Sequence, residues 1–165
     1  MEIKFVGLSE ADLPFVKEIY DYYALNTTFV YFTEPVTIEN LTSFIPIKNP
    51  VYHSYIIYDS NGEKCGFCYF SRFRPREAFR ISVEVTLYFK PGYTGKGYGK
   101  ATLTYLEKQI KEAGFHTIMA LIAGENTGSI RLFERSGFTC CAHLREVAEK
   151  FGKKLDLKMY QKIIG

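Results

Sequence analysis

Residues 81–101 read ISVEVTLYFKPGYTGKGYGKA, a strand pattern followed by a glycine-rich loop and the start of a helix. Apolar and polar side chains alternate in the first half, as they do in an extended segment with one buried face. Pro91 and Gly92 then end the strand pattern. Glu84 places a carboxylate within this apolar strand, where an acid lowers stability. We therefore interpret Glu84 as a candidate general base.

The loop after this strand has glycines at alternate positions, Gly95, Gly97 and Gly99. Because glycine lacks a Cβ atom, the backbone N–H groups can approach a ligand closely, and the following helix adds about half a positive charge at its N-terminus. This arrangement favours a pyrophosphate. Together with Glu84, it predicts group transfer from a nucleotide-containing donor. On its own, the loop is also compatible with a flexible strand-to-helix connection.

Two common phosphate-binding motifs do not fit this loop. A Walker A motif requires a glycine where this chain has Lys90 and a Ser or Thr where it has Gly97. A dinucleotide-binding fingerprint requires Gly or Ala where this chain has Lys100, and it requires an acidic residue about 20 residues further on, which residues 115–119 do not supply. The loop therefore predicts neither ATP hydrolysis nor NAD binding.

Length and composition predict a single domain over residues 1–165. The chain has 165 residues and 47% hydrophobic residues, enough for one well-buried core. Its net charge is +3, and the charges are spread along the chain, which argues against nucleic acid as a partner. No apolar run reaches the length of a membrane span, and the N-terminus lacks the pattern of a signal peptide, so we expect a cytoplasmic protein with no membrane partner.

Hydrophobic spacing and turn residues predict the order βααβββαβαββ. The fold class is therefore α/β (α+β), with a mixed central sheet of about seven strands flanked by about four helices. The predicted elements are a strand at 3–7, a helix from Ser9 to about Tyr23, a helix beginning at Thr37, strands at 51–58, 64–73 and 81–89, a helix ending near Gly114, a strand at 116–123, a helix at 127–135 and strands at 138–146 and 154–160.

The cysteines form the pairs Cys65/Cys68 and Cys140/Cys141, whose spacing is compatible with zinc binding. Residues three apart, or adjacent, in a strand point to opposite faces, so neither pair is expected to converge on a metal ion. We predict buried free thiols in a reducing compartment and no metal site.

Residues 83–101, with Asn126 and Ser129 downstream, resemble the acetyl-CoA site of the GNAT superfamily of N-acetyltransferases. Further segments resemble its phosphinothricin and methionine sulfoximine acetyltransferase branch: residues 33–35, 73–80, 137–138, 150–152 and 155–156. The resemblance implies transfer of an acetyl group from acetyl-CoA, without a metal, to the amine of a small amino-acid-like acceptor of the phosphinothricin or methionine sulfoximine/sulfone type. It also implies a homodimer.

The resemblance also implies roles for individual residues. The main chain of Leu87, Tyr88 and Phe89 would pair with the pantetheine arm, and Asn126 and Ser129 would contact the rest of the arm. The pyrophosphate would lie on a run of six loop residues, Gly95, Lys96, Gly97, Tyr98, Gly99 and Lys100. Glu77, Ala78 and Phe79 would contact the acceptor. Independently of the resemblance, positive charge is concentrated just before Glu84, at Arg72, Arg74, Arg76 and Arg80. An arginine here, with Arg76 as the candidate, either binds the acidic group of the acceptor or is solvated surface charge.

Glu84 matches the general base of the same branch. An ammonium has no free lone pair, so the acceptor amine must lose a proton to attack a thioester, and partial burial would make the carboxylate a better base. The alternative for Glu84 is a strand acid that faces solvent or pairs with Arg80 or Arg131.

Three residues depart from the family pattern. Thr94 replaces the Gln or Arg that begins the loop, Phe133 stands where relatives carry a proton-donating Tyr or His, and Lys154 replaces a tryptophan. Two rival functions stay open. One is acetylation of a protein N-terminus or lysine, which a wide, open groove without arginine clamps would favour. The other is a catalytically idle CoA-binding sensor, which Thr94 and Phe133 support.

Overall fold

The computed structural model describes residues 2–165, which form one seven-stranded sheet and four α-helices. The strands are β1 (Lys4–Gly7), β2 (Ser54–Tyr58), β3 (Lys64–Arg72), β4 (Ser82–Phe89), β5 (Thr117–Ala123), β6 (Thr139–Lys150) and β7 (Lys153–Ile163). The helices are α1 (Leu13–Asn26), α2 (Ile38–Phe44), α3 (Tyr98–Glu112) and α4 (Thr127–Arg135). The predicted fold class and element order are confirmed.

The sheet has the order β1-β2-β3-β4-β5-β7-β6, and β4 and β5 are its one parallel pair within residues 2–165. Whereas β3 pairs with residues 83–89 of β4, β5 pairs only with residues 82–84 of that strand. The last pair joins Glu84 to Met119. Beyond this pair β4 and β5 separate, and we call the resulting gap in the middle of the sheet the split.

Two hydrophobic cores cover the two faces of the sheet. Leu103, Leu106 and Ile110 of α3 pack on one face, and α1 and α2 pack on the other. The alternation of β4 places Val83 and Val85 in the α3 core. Glu84 and Tyr88 therefore point to the face that α1 and α2 cover. This orientation places the candidate base on the side of the sheet opposite α3.

The ends of several elements differ from the prediction. A short 3-10 turn over Glu10–Asp12, with Ser9 as its N-cap, precedes α1, and α1 continues to Asn26 rather than ending near Tyr23. The strand predicted to end at Glu146 continues to Lys150. Glu146 lies in an irregularity of the β6–β7 pairing and has a φ of 53°, which explains why the strand pattern stops there.

The cysteines differ from the prediction in two respects. Cys65 and Cys68 are buried as predicted, but both contact the α3 core, because a β-bulge at Cys65 shifts the β2–β3 register and changes its facing. Cys140 and Cys141 are exposed, not buried. All four thiols are free, and burial raises the pKa of Cys65 to about 11.

Candidate active site

A cavity of about 850 Å³ opens along the split. It is lined by residues 85–89 of β4, residues 120–123 of β5, the glycine loop and one side of α4. Nine of the predicted donor-site residues line it: Leu87, Tyr88, Phe89, Gly95, Gly97, Gly99, Lys100, Asn126 and Ser129. Lys96 and Tyr98, also predicted for this site, do not line the cavity.

The backbone of β4 presents hydrogen-bonding groups to the split. Lys90 N–H donates to the carbonyl of Cys65 in β3 at 2.8 Å, and strand alternation then directs the main-chain groups of Leu87 and Phe89 away from β3. The same alternation turns the Tyr88 main chain toward β3. The Tyr23 hydroxyl donates to the Phe89 carbonyl at 2.8 Å, which leaves the Leu87 main chain and the Phe89 N–H group facing the split.

The glycine loop has the backbone conformation that its sequence requires. Gly95 and Gly97 have φ values of 73° and 87°, a region that favours glycine, and Gly97 is the N-cap of α3. A Cβ atom at Gly95 would meet no atom within 4 Å, so the space beside this residue is open. The Tyr93 hydroxyl donates to Asp59 at 2.7 Å and anchors the start of the loop to the β2–β3 turn. The loop that leads into α3 is therefore open on the side of Gly95.

Cationic side chains surround this end of the cavity. Lys100 of α3 and Arg131 and Arg135 of α4 all line it. The two arginines are not among the residues predicted for the site, although their spacing of four residues on one helix places them on the same face. Asn126 caps α4 by accepting a hydrogen bond from Ser129 N–H at 3.2 Å. This electrostatic environment suits a ligand with several phosphates.

Glu84 lies at the closed end of the split, where the pairing of β4 with β5 stops. Its carboxylate is half-buried, and none of the ion pairs among residues 2–165 includes it; Arg80 pairs with Glu77 instead, at 3.7 Å. Burial raises the pKa of Glu84, and the opposing effect of Arg74 is smaller. A carboxyl group in this environment is a stronger base than an exposed glutamate.

The sequence profile of the acetyltransferase (GNAT) family matches residues 16–138. The chain belongs to the GNAT family. It is an N-acetyltransferase that uses acetyl-CoA as its donor.

Similar proteins cover nearly the whole chain. The L-methionine sulfoximine/L-methionine sulfone acetyltransferase of Salmonella typhimurium is 31% identical over 161 residues, 98% of this chain and 93% of that protein. The L-amino acid N-acyltransferase MnaT of Escherichia coli is 29% identical over 98% of this chain and 92% of its own length. A crystal structure of the phosphinothricin acetyltransferase of Sinorhizobium meliloti in complex with acetyl-CoA has a TM-score of 0.90 and 30% identity, covering 100% of this chain and 90% of that one.

The residues along the split of this acetyltransferase fit acetyl-CoA. The exposed edge of β4 offers the main chain of Leu87 to an extended arm. The open space beside Gly95 and the N-terminus of α3 suit a diphosphate, and Lys100 and Arg131 supply positive charge beside it. The fit therefore includes both the extended and the anionic part of the donor.

The four residues predicted to contact the acceptor lie outside this cavity. Arg76 and the short 3-10 helix Glu77–Ile81 are on the surface, just before β4. Phe79 is 43% exposed and packs edge to face on Phe73, with ring centroids 6.1 Å apart. The structure thus brings these residues near the strand that carries Glu84 but not into the space along the split, and their role in acceptor binding stays a prediction.

Two of the departures from the family pattern also line the cavity. Phe133 is 3% exposed, and its ring contacts that of Phe138. It lines the cavity together with Thr94. Phe133 has no group that can donate a proton, so this position of α4 contributes only apolar surface.

Two further observations concern metal ions and membranes. Within residues 2–165, no group of three or more His, Cys, Asp or Glu side chains is arranged to hold a metal ion. In the same part of the chain, every helix is too short or too polar to span a bilayer.

Proposed function

We propose that this acetyltransferase transfers an acetyl group to the amine of a small amino-acid-like acceptor, of the phosphinothricin or methionine sulfoximine/sulfone type, by direct attack assisted by a general base. The observation that carries the proposal is Glu84: an unpaired, half-buried carboxylate with a raised pKa at the closed end of the split. The names of two relatives, the methionine sulfoximine/sulfone acetyltransferase of Salmonella typhimurium and the L-amino acid N-acyltransferase of Escherichia coli, support the acceptor class.

Glu84 accepts the proton of the acceptor ammonium in this mechanism. An amine is protonated at neutral pH and becomes a nucleophile when the proton leaves. Because burial raises the pKa of Glu84, the difference in proton affinity between base and ammonium is smaller than for an exposed carboxylate. The positive charge of Arg74 acts in the opposite direction on this pKa and offsets part of the cost of the carboxylate's charge.

The donor binds along the split and supplies a thioester carbonyl, which the deprotonated amine attacks to form the new C–N bond. The C–S bond then breaks, and coenzyme A leaves as a thiolate, a good leaving group that takes its proton from water because Phe133 has none to donate. In our proposal, the Leu87 N–H group donates a hydrogen bond at the exposed edge of β4 and helps to hold the reacting carbonyl. The glycine loop, with Lys96 and Tyr98 beside it, and the cations of α3 and α4 fix the diphosphate. Asn126 orients α4 through its cap and, with Ser129, borders the arm.

Arginines close to Glu84 are suited to the acidic group of the acceptor. Arg76 and the residues Glu77, Ala78 and Phe79 lie on the segment that leads into β4. An arginine guanidinium binds a carboxylate or phosphinate through two parallel hydrogen bonds. We propose that Arg76 binds this group and that the other three residues contact the rest of the acceptor.

The acceptor class is tested by following free thiol release from acetyl-CoA with a panel of amines. We expect turnover with at least one of phosphinothricin, methionine sulfoximine and methionine sulfone, and little with peptides that present a free N-terminus or a lysine. Turnover with the peptides alone would favour a protein acetyltransferase. Acetyl-CoA binding without turnover of any amine would favour a CoA-binding sensor, and either outcome would refute the proposal.

We also propose that the chain acts as a homodimer in the cytoplasm. Val147 and Phe151 near the end of β6 are 53% and 64% exposed, an apolar surface that a second copy can cover. Light scattering after size exclusion should give twice the mass of the chain, and Val147→Glu should shift the measured mass toward that of the monomer. A monomeric wild-type protein would exclude the dimer.

The cytoplasmic location is a separate part of the proposal. The free thiols fit a reducing compartment. Fluorescence of a tagged protein tests the location.

A further inference from the structure

Lys150 is a buried lysine without an acidic partner. It is 3% exposed, and within residues 2–165 no ion pair includes it. Its Nζ donates to the carbonyl of Val30 at 2.9 Å and lies 3.5 Å from the carbonyl of Tyr23. Lysines are rarely buried unless they are paired, so a lysine whose partners are main-chain carbonyls indicates a specific structural task.

The two carbonyls belong to the last turn of α1 and to the loop that follows it. The C-terminal end of a helix carries partial negative charge, which an ammonium group complements. The Tyr23 carbonyl also accepts from the backbone and the hydroxyl of Thr27. Lys150 therefore joins the end of β6 to the point where the chain leaves α1.

Residues 27–31, which we call the crossing segment, bridge the split. On the β4 side, the chain is tied by the hydroxyl of Tyr23, which donates to Phe89. On the opposite side, the hydroxyl of Thr28 donates to Glu125 after β5 at 2.7 Å, and that of Tyr31 donates to the Asp156 carbonyl of β7, also at 2.7 Å. Lys150 adds a third tie on this side, through Val30.

The crossing segment also forms part of the wall of the cavity. Thr27 and Phe29 line the cavity, as does Tyr23 just before them. Tyr23 packs on Tyr88, with ring centroids 5.4 Å apart, on the face of β4 to which Glu84 points. The wall therefore stands on the side of the sheet from which an acceptor would reach Glu84.

We propose that Lys150 is a positioning residue for the acceptor side of the site, where its buried ammonium group holds the crossing segment across the split as a fixed wall. It needs no contact with either substrate to do so. The expected effect on the acceptor KM rests on the acceptor class proposed above, but the expected effect on hydrogen exchange of residues 22–31 does not.

The first test compares Lys150→Met, which removes the ammonium group and keeps the length of the side chain, with Lys111→Met, an exposed lysine of α3. With methionine sulfone as acceptor, we expect Lys150→Met to raise the acceptor KM about ten-fold. The acetyl-CoA Kd should change less than about two-fold, because β4, the glycine loop and α4 form most of the donor side of the cavity and do not depend on Lys150. Hydrogen exchange of residues 22–31 should become faster, with α3 unaffected. Lys111→Met should change none of these quantities.

A second variant keeps the inference testable if Lys150→Met does not fold. Tyr31→Phe removes one tie of the crossing segment without changing charge, and Tyr31 is already 38% exposed. Faster exchange confined to residues 22–31 and a raised acceptor KM would support the inference. Unchanged exchange in this segment, or an equal weakening of acceptor and acetyl-CoA binding, would overturn it. If no amine is acetylated, the acceptor proposal fails, whereas the exchange result still decides the role of Lys150.

Discussion

Replacing Glu84 with glutamine is expected to lower kcat by about a hundred-fold to a thousand-fold, the range that loss of a general base produces. The amide keeps the shape of the side chain but cannot accept the proton of the acceptor ammonium. Acetyl-CoA binding should be unchanged, because the donor-binding residues lie beyond Glu84 along the split. Steady-state kinetics with the best amine of the panel, together with calorimetric titration of acetyl-CoA, measures both quantities.

The role of Glu84 as a base also predicts how activity changes with pH. Raising the pH removes the proton from Glu84, so wild-type activity should rise through a midpoint above the ordinary pKa of a glutamate and then level off, and the glutamine variant should lack this rise. Because the folded state favours the protonated acid, ionisation of Glu84 destabilises the fold as pH rises. Glu84→Gln should therefore melt no lower than the wild type at pH 8.

A matched control is Glu112→Gln, which changes an exposed glutamate at the end of α3. It should retain wild-type activity and the wild-type pH profile. Glu84→Gln with nearly full activity, or with an unchanged acidic limb, would assign the proton to another group.

Replacing Gly95 with valine is expected to weaken acetyl-CoA binding about a hundred-fold, because it combines loss of hydrogen bonds to a charged ligand with backbone strain. Gly95 has a φ of 73°, which a β-branched residue rarely adopts, and its side is open. The valine side chain would therefore occupy the space where the diphosphate is proposed to lie.

Gly114→Val separates this effect from general strain. Gly114 has a φ of 89°, also faces open space, and lies just after the C-terminal end of α3, outside the cavity. Both variants should lose similar stability in thermal melts, but only Gly95→Val should lose acetyl-CoA binding in calorimetric titration. Equal acetyl-CoA affinity in the two variants would show that the glycine loop does not bind the donor.

Local patterns predicted most of the fold. Three signals depend only on neighbouring residues: the alternation before Pro91, the turn at residues 59–62 and the cap after α3. The sequence of strands and helices along the chain follows from such signals. The long β6 was the main exception. Its irregularity at Glu146 is stabilised by Asp156 across the hairpin, at a distance in sequence that periodicity does not detect.

The prediction that Cys65 and Cys68 point to opposite faces of the sheet was wrong for a related reason. Strand alternation holds only while the register is unbroken, and the bulge that changes the facing depends on the pairing partner in β2. The exposed Cys140 and Cys141 lie near an irregular pair on the outer strand, where burial is decided by what covers the strand and not by its own residues.

The candidate site could be predicted where its residues are contiguous. Glu84, Leu87 and the glycine loop lie on one stretch of sequence, and the structure places them along one gap. The remote parts were not predictable, because the contacts of Tyr23 with Phe89 and of Lys150 with Val30 join residues 66 and 120 positions apart. No local pattern reports such contacts.

The central claim is that the split between β4 and β5 holds the donor with its reactive end toward Glu84. A crystal structure of this chain with acetyl-CoA tests it most directly. We predict the pantetheine arm along Leu87, the diphosphate on the loop that contains Gly95 and Gly97, and the acetyl group at the closed end of the split. Acetyl-CoA bound elsewhere, or bound with its acetyl group turned away from Glu84, would contradict the claim.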